Sequence, residues 1–327
     1  MTQAPNLDGV LITWGDRLFY PGNRVVKVKP QPKLNGGSAR QRAAAIRERI
    51  ETAVVRRAPQ VMVKVTGGGR CMQAIAAHFR YISKNGRLDI EDERGETMRG
   101  REAVHALAED WRFGGSLIDE IAASGQRREA FNLMLSMPRG TDSLIVQKAA
   151  REFAQSELPD HKVVMVLHDH QANPHVHISV RAESKHGQRL NPRKADLHRW
   201  RETFAEKLRG YGIDAEATRQ ATRGRSRNSD ALWRIKARED RRLRRSRSST
   251  QSGSQARATR ADAVEAWMQI GRALAASGDP ADQSLARSIA TFIKEMSAAS
   301  VTRSVAAPER APVMAPTQKP VDVDPRR

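Results

Sequence analysis

Two histidine-rich extended segments within residues 162–182 constrain the fold of this chain most strongly. Residues 163–167 form an unbroken apolar run, which is typical of a strand buried on both faces. Residues 171–174 (Gln-Ala-Asn-Pro) have the composition of a turn. Residues 175–180 then alternate, so that His175, His177 and Ser179 share one strand face. The sequence therefore predicts a β-hairpin with imidazoles on one side.

The histidines of this hairpin have the spacing of a metal site. His168 ends the first strand, beside His175 and His177 on the second, and four of the nine histidines lie between positions 168 and 177. Lone strand histidines are usually structural, but three that converge above a sheet can bind a metal ion and leave coordination positions open. We predict a three-histidine metal site.

Charge indicates the class of partner. The formal net charge is +20 and the pI is near 11.0, so we expect a polyanion: nucleic acid first, an anionic membrane second. No apolar run approaches the roughly 18 residues of a membrane span, and the first residues lack the layout of a secretion signal. The single cysteine, Cys71, suits a reducing compartment, so we expect no membrane insertion and a cytoplasmic location.

A tyrosine helix precedes the hairpin. Residues 61–65 read as a strand, residues 66–69 are Thr-Gly-Gly-Gly, and residues 71–84 read as a helix that carries Tyr81. The glycines lack the lysine and hydroxyl ending of a P-loop, so nucleotide binding is not expected, although a nucleic-acid phosphate could approach the amides at the helix start. Of the three tyrosines, Tyr81 is the best placed for chemistry, since Tyr211 reads as core and Tyr20 lies in an irregular region.

The remaining patterns give an α+β fold, with an antiparallel central sheet covered by helices and followed by a basic helical C-terminal region. We divide the chain into a basic N-terminal extension (1–58), a central domain that carries the tyrosine helix and the histidine hairpin (59–218), a basic helical region (219–300) and a disordered tail (301–327). Between positions 219 and 247 there are twelve Lys/Arg and three acidic residues, which suits a clamp on the DNA backbone or a solvated helix.

The further expected elements are a loosely ordered 1–38 with a short strand near 24–28, helices over 39–57 and 99–122, a strand over 131–137, a helix from Thr141 or Asp142 to 157 that buries Leu144, a helix that starts at Asn191-Pro192, and helices over 228–247, 259–276 and 281–298.

A phenol and a metal ion on one sheet of a basic protein suggest phosphodiester transesterification. A divalent ion held by neutral imidazoles neutralises charge that develops on the scissile phosphate. The tyrosine oxygen attacks phosphorus and releases a deoxyribose hydroxyl. Because the tyrosine ester keeps the phosphoester bond, the strand can later be rejoined.

The motifs resemble those of the HUH relaxases, the nicking enzymes of plasmid mobilisation, and in particular the border-nicking branch. The first motif is residues 63–86, which contain Tyr81; the second is 135–142; the third is His168 followed by Pro174-His175-Val176-His177. The resemblance covers about residues 60–225. It implies an HUH palm fold, Tyr81 as nucleophile, and His168, His175 and His177 as ligands of Mg²⁺ or Mn²⁺, with Zn²⁺ possible for an imidazole-only site.

The same resemblance implies partners. Relaxases of this kind cut single-stranded DNA at a transfer origin and stay on its 5′ end. They act with relaxosome accessory proteins and reach a type IV secretion channel through its coupling protein.

The third motif departs from the family at its start. The family usually has His-x-Asp, whereas this chain has His168-Asp169-His170. Strand alternation points Asp169 away from the metal face and His170 towards it. Either His170 accepts the proton, or the turn redirects Asp169, or Asp89 or Glu91 supplies the carboxylate. The departure also leaves open a DNA-binding accessory or replication-control protein that no longer cuts, and a metalloenzyme on small substrates is a weaker alternative.

Overall fold

A computed structural model describes residues 7–20, 37–122, 127–171, 173–223 and 254–301. The predicted order of strand, tyrosine helix, strand, helix and histidine hairpin is confirmed. The helices are α1 (Leu7–Phe19), α2 (Gly37–Ile50) with a π-helical turn (Glu51–Val55), α3 (Met72–Ile82), α4 (Arg101–Phe113), α5 (Ser143–Glu157), α6 (Lys194–Gly210), α7 (Ser254–Ala275) and α8 (Pro280–Val301). The strands are β1 (Met62–Gly67), β2 (Ile90–Asp92), β3 (Thr97–Met98), β4 (Ala130–Ser136), β5 (His161–His168) and β6 (His175–Ser184).

The six strands form one antiparallel sheet in the order β1-β4-β6-β5-β2-β3, which confirms the predicted α+β class. β5 and β6 are the predicted hairpin. In their register His168 faces His175 and Val166 faces His177, so the three histidines lie on one side of the sheet. Strand alternation alone thus carries the imidazoles to a common face.

Helices cover both faces of the sheet. On the face opposite the histidines, Leu133 and Ile178 belong to a core with α5 and α6 that contains Phe153, Trp200 and Phe204. On the histidine face, α3 and α4 pack on the β5 side of the sheet. That second core contains Ile75, Phe79, Trp111, Val164 and Val166, and the rings of Phe79 and Trp111 meet edge to face at 4.9 Å.

A third core joins the two ends of the chain. Helices α1 and α2 pack with α7 and α8 around Trp267, which contacts the rings of Phe19 and Phe292. We call this four-helix cluster the terminal bundle. The expectation of a loosely ordered 1–38 is therefore wrong for residues 7–19, because their apolar face is buried by α7. The strand expected near 24–28 and the helix expected over 228–247 lie outside the described residues.

The terminal bundle is bonded to the segment that follows the sheet domain. The indole Nε1 of Trp267 donates to the carbonyl of Thr222, whose hydroxyl donates to the carbonyl of Leu18. The guanidinium of Arg49 pairs with Glu216 and Glu202 beneath the bundle. The predicted domain boundaries at 58/59, 218/219 and 300/301 stay a prediction. These contacts show that helices which precede and follow the sheet in the sequence share one core.

Four local predictions are wrong. α4 ends at Phe113, well before 122, with Gly114 as its C-cap, and the buried guanidinium of Arg181 donates to the carbonyls of Trp111 and Ser116 around this end. α6 begins after Arg193, where the carboxylate of Asp196 accepts the Arg193 amide, two residues later than expected. The two exposed exceptions to the predicted core are Leu144, at 60% exposure, and Tyr211, whose hydroxyl reaches Glu152 at the surface.

The glycine run serves packing. A Cβ at Gly68 would lie 2.2 Å from the carbonyl oxygen of Ala130, and one at Gly69 would lie 2.5 Å from Ile75 Cγ1. The amides of Met72 and Gln73 at the start of α3 already donate to the carbonyls of residues 119 and 120. These two amides are thus not available to a phosphate, which corrects that expectation. Among the described helices, none is both long and apolar enough to cross a membrane.

Candidate metal and nucleophile site

The three predicted histidines converge at one end of the β5–β6 hairpin. His168, His175 and His177 each offer a nitrogen, and these nitrogens lie within 4.8 Å of one another. The ring centroids are 4.6 to 5.1 Å apart. We call these residues the histidine triad. Such an arrangement of imidazoles can hold one metal ion and leave positions for substrate.

The turn before β6 fixes the triad. The carbonyl of Pro174 accepts hydrogen bonds from the Met137 amide and, at 3.3 Å, from the Ser136 hydroxyl. Pro174 therefore ties the start of β6 to the end of β4, and His175 follows at once. The imidazole of His175 bonds through Nδ1 to the carbonyl of Asn173 at 2.9 Å. The Asn-Pro-His sequence thus sets both the strand start and a ring orientation.

Hydrogen bonds from one ring nitrogen of His168 and of His175 leave the lone pair of the other ring nitrogen free to bind a cation. His168 donates from Nε2 to the carbonyl of Ile82 at 2.7 Å, and His175 donates from Nδ1, so each must carry its proton on that nitrogen. The Nδ1 atoms of His168 and His177 are buried and, among the described residues, have no hydrogen-bond partner. Buried polar atoms are normally satisfied. These orphaned nitrogens fit a divalent metal ion.

Burial keeps His168 and His177 uncharged. Desolvation, followed by the other triad imidazoles, lowers the pKa of His177 to about 3. Desolvation also lowers the pKa of His168, against the opposing effect of the Ile82 carbonyl. Neutral imidazole is the form that binds cations, so protons do not compete strongly with a metal ion near neutral pH.

Tyr81 lies on α3 beside the triad. Its side chain is 71% exposed, and its ring stacks on His78 with centroids 6.2 Å apart. His78 in turn meets the ring of His177 edge-on at 6.4 Å. The next residue after the tyrosine is Ile82, whose carbonyl holds His168. The end of α3 is thus bonded to the triad, and the phenol is presented to solvent next to it.

The residues that follow Tyr81 turn the chain sharply. Lys84 and Asn85 have φ of 51° and 59°, and Gly86 has φ of 78°. The amide of Asn85 donates to the carbonyl of Arg80, and the amide of Gly86 donates to the hydroxyl of Ser83. This left-handed closure ends α3, as the Asn85-Gly86 pair predicts. It leaves the Ile82 carbonyl directed at His168.

The four candidates for the acid or base of the site, which are Asp169, His170, Asp89 and Glu91, lie in different surroundings. The ring of His170 lies 5.1 Å from that of His168, on the triad side, and both Asp169 and His170 are exposed. Glu91 instead faces α5, where it pairs with Arg151, and Asp89 pairs with Arg99 at 3.7 Å. Glu91 is therefore not brought to the triad.

Sequence reasoning missed one neighbour of the site. This neighbour is His78, whose ring contacts the ring of His177. Its Nε2 is buried without a hydrogen-bond partner among the described residues, and desolvation lowers its pKa. The signal that could have found it is the i, i+3 spacing to Tyr81, which places both rings on one side of the helix.

Comparison with known proteins adds a family. Residues 81–213 match the family described as "Relaxase: MobA/VirD2-like, nuclease domain". Proteins named "T-DNA border endonuclease VirD2" are similar to the chain: that of Rhizobium radiobacter is 24% identical over 182 residues, covering 50% of this chain and 43% of the relative. That of Agrobacterium fabrum (strain C58) is also 24% identical, over 50% of this chain and 41% of the relative.

The alignments span less than half the length of these curated relatives. The matched region begins at Tyr81 and contains β5, β6 and the whole triad. It also agrees with the observed antiparallel α+β sheet. Residues 81–213, which contain Tyr81 and the whole triad, are therefore similar to the nuclease domain of MobA/VirD2-like relaxases.

Proposed function

We propose that the protein nicks and rejoins one DNA strand at a transfer origin, with Tyr81 as the nucleophile. The observation that carries this proposal is the juxtaposition of an exposed tyrosine and the histidine triad at the end of one helix and one hairpin. The relatives named as border endonucleases support it. The net charge of +20 favours a polyanionic substrate.

The residues divide the reaction between them. The phenolic oxygen of Tyr81 bonds to phosphorus, the bond from phosphorus to the 3′ oxygen breaks, and a 3′ hydroxyl leaves. The product is a 5′-phosphotyrosine, which the same 3′ hydroxyl can attack to restore the strand. The phenol gives up its proton, for which His170 and Asp169 are the proposed acceptors, and His170 is the better placed on the triad side.

His168, His175 and His177 would hold a divalent cation, Mg²⁺ or Mn²⁺ in preference to Zn²⁺. A bound cation supplies electrostatic stabilisation of the charge that develops on the phosphate oxygens. The protein's part is to fix the rings of His168 and His175 through the carbonyls of Ile82 and Asn173, and to keep His168 and His177 neutral by burial. Single-stranded DNA at the origin, relaxosome accessory proteins and a secretion coupling protein are the proposed partners, in the cytoplasm.

The test is a covalent-adduct assay. Labelled single-stranded oligonucleotides that cover the transfer region of the protein's own replicon are incubated with Mg²⁺ or Mn²⁺ and resolved on a denaturing gel. We expect a metal-dependent band shifted by one protein mass, absent in Tyr81→Phe. Because Tyr81 is 71% exposed, that change should leave the fold intact. The matched control is Tyr211→Phe, which removes a surface hydroxyl bonded to Glu152 and should still form adduct.

A non-cutting DNA-binding protein is the second candidate. The His168-Asp169-His170 order favours it, because a carboxylate at position 170 is missing. It predicts salt-dependent DNA binding without adduct in either metal. In that case His170→Asp is the first change to make, and gain of adduct would show that the departure disables cutting.

A further inference from the structure

We propose that His78 is a positioning residue, which holds the Tyr81 phenol against the histidine triad by stacking. This inference rests on the proposed function. The two rings lie nearly parallel, with an interplanar angle of 30° and centroids 6.2 Å apart. The opposite contact of His78 is the edge of His177, at 6.4 Å and 76°. His78 is thus an aromatic spacer between nucleophile and triad.

Exposure makes such a spacer necessary. Tyr81 is 71% exposed, and among the described residues its aromatic neighbour is the His78 ring. A phenol that is free in solvent can adopt several rotamers, and the productive one must be selected before attack. Stacking on a partly buried neighbour restricts the tyrosine ring, since aromatic pairs have a favourable interaction beyond their buried area.

His78 itself is fixed. It occupies the helix α3, one turn before Tyr81, so the two side chains lie on the same side of the helix. The backbone next to Tyr81 is also fixed, because the carbonyl of Ile82 accepts from His168. The shared helix, the His78 ring and the hydrogen bond from His168 to Ile82 therefore connect the phenol to the triad.

The proposed role of His78 requires its ring and not its nitrogen. Its Nε2 is buried and makes no hydrogen bond in the described part of the chain. A buried polar atom without a partner is a cost to folding, so a phenyl ring in its place should be tolerated. His78→Phe keeps the stacking surface, and His78→Ala removes it. This pair separates a positioning role from direct use of the nitrogen.

The first arm of the experiment measures adduct formation. For His78→Ala we expect the single-turnover rate at saturating oligonucleotide to fall by roughly 3- to 100-fold, the range for a lost aromatic contact and a misplaced nucleophile, with DNA affinity unchanged. His78→Phe should recover most of the rate. If His78→Phe falls as far as His78→Ala, the nitrogen is used directly and positioning by stacking is refuted. Arg80→Ala, an exposed change on the same helix, is the control.

The second arm does not depend on activity. The chain has three tyrosines, so ring-labelled ¹³C-tyrosine gives three signals, of which Tyr81→Phe identifies one. His78→Ala should shift the Tyr81 signal and leave those of Tyr20 and Tyr211 in place, because a neighbouring aromatic ring has been removed. An unmoved Tyr81 signal would overturn the contact. If wild-type protein forms no adduct, the proposed function fails while this arm still decides whether His78 holds the phenol.

Discussion

Arg49 connects the terminal bundle to the sheet domain through a buried ion pair, and its removal should destabilise the whole protein. Its guanidinium is 12% exposed and contacts Glu216, which is 2% exposed, and Glu202 at 2.9 Å. It also lies over the rings of Phe19 and Tyr20. Arg49→Met keeps much of the side-chain length and the packing on those rings while removing the charge.

The expected loss follows from the carboxylate that remains. Removing one partner of a buried ion pair typically costs about 3–5 kcal/mol, because a buried charge is left uncompensated. Glu216 keeps one hydrogen bond, from the amide of Ala217 at 2.7 Å, and Glu202 is 24% exposed. We therefore expect the lower end of that range, about 3 kcal/mol. Adding Glu216→Gln should restore part of the loss, since the buried charge is then gone.

The measurement is urea unfolding followed by circular dichroism and tryptophan fluorescence. The matched control is Arg57→Met, which removes an exposed pair with Glu295 on α8 and should cost about 0–1 kcal/mol. If Arg49→Met is no more destabilising than Arg57→Met, the buried pair does not stabilise the junction. If the double variant is less stable than Arg49→Met alone, the uncompensated charge is not the cause.

Three further predictions concern metal, pH and capping. Mn²⁺ at about 100 times its Kd should stabilise the protein by about 2.7 kcal/mol, which is measured as a rise in Tm. This rise should be lost in His177→Ala. An equal rise in the variant would show that the metal ion does not bind at the triad. Desolvation lowers the pKa of His198, so the unfolded state binds more protons than the folded state below about pH 6.5, and the free energy of unfolding should fall as pH decreases from there. In His198→Gln the free energy of unfolding should fall less over the same pH range. An unchanged dependence on pH in this variant would contradict the prediction. Asp142 caps α5 by accepting from the amides of Leu144 and Ile145, so Asp142→Ala should lower the free energy of unfolding by about 1 kcal/mol, whereas Thr141→Ala should not.

The site was predictable from the sequence because it depends on short-range regularities. Alternation along β6 puts His175 and His177 on one face, and the hairpin turn brings His168 beside them. The helix that carries Tyr81 follows from the spacing of its apolar residues, Met72, Ile75, Phe79 and Ile82, all of which are buried. Neither inference required knowledge of distant parts of the chain.

What could not be predicted depends on contacts between distant segments. The last turn of α4 is held by Arg181, 70 residues beyond Trp111, whose carbonyl it binds. The assignment of α1 to a core required Trp267 on α7, which no local pattern indicates. The exposure of Leu144 depends on how α5 is rotated on the sheet, because the helix buries Val146 instead. Periodicity gives the element but not its partner.

The terminal bundle can form only late in synthesis, because its helices come from opposite ends of the sequence. Leu18 and Thr222, which share a hydrogen bond, are separated by 204 residues, and Arg57 and Glu295 by 238. At a translation rate of about 5–20 residues per second, roughly 10–50 s pass between synthesis of α1 and α2 and synthesis of the helices that cover their apolar faces. The sheet domain between them can be completed earlier. Nascent chains that stall before α7 should therefore expose the apolar faces of α1 and α2, which makes them natural clients for chaperones.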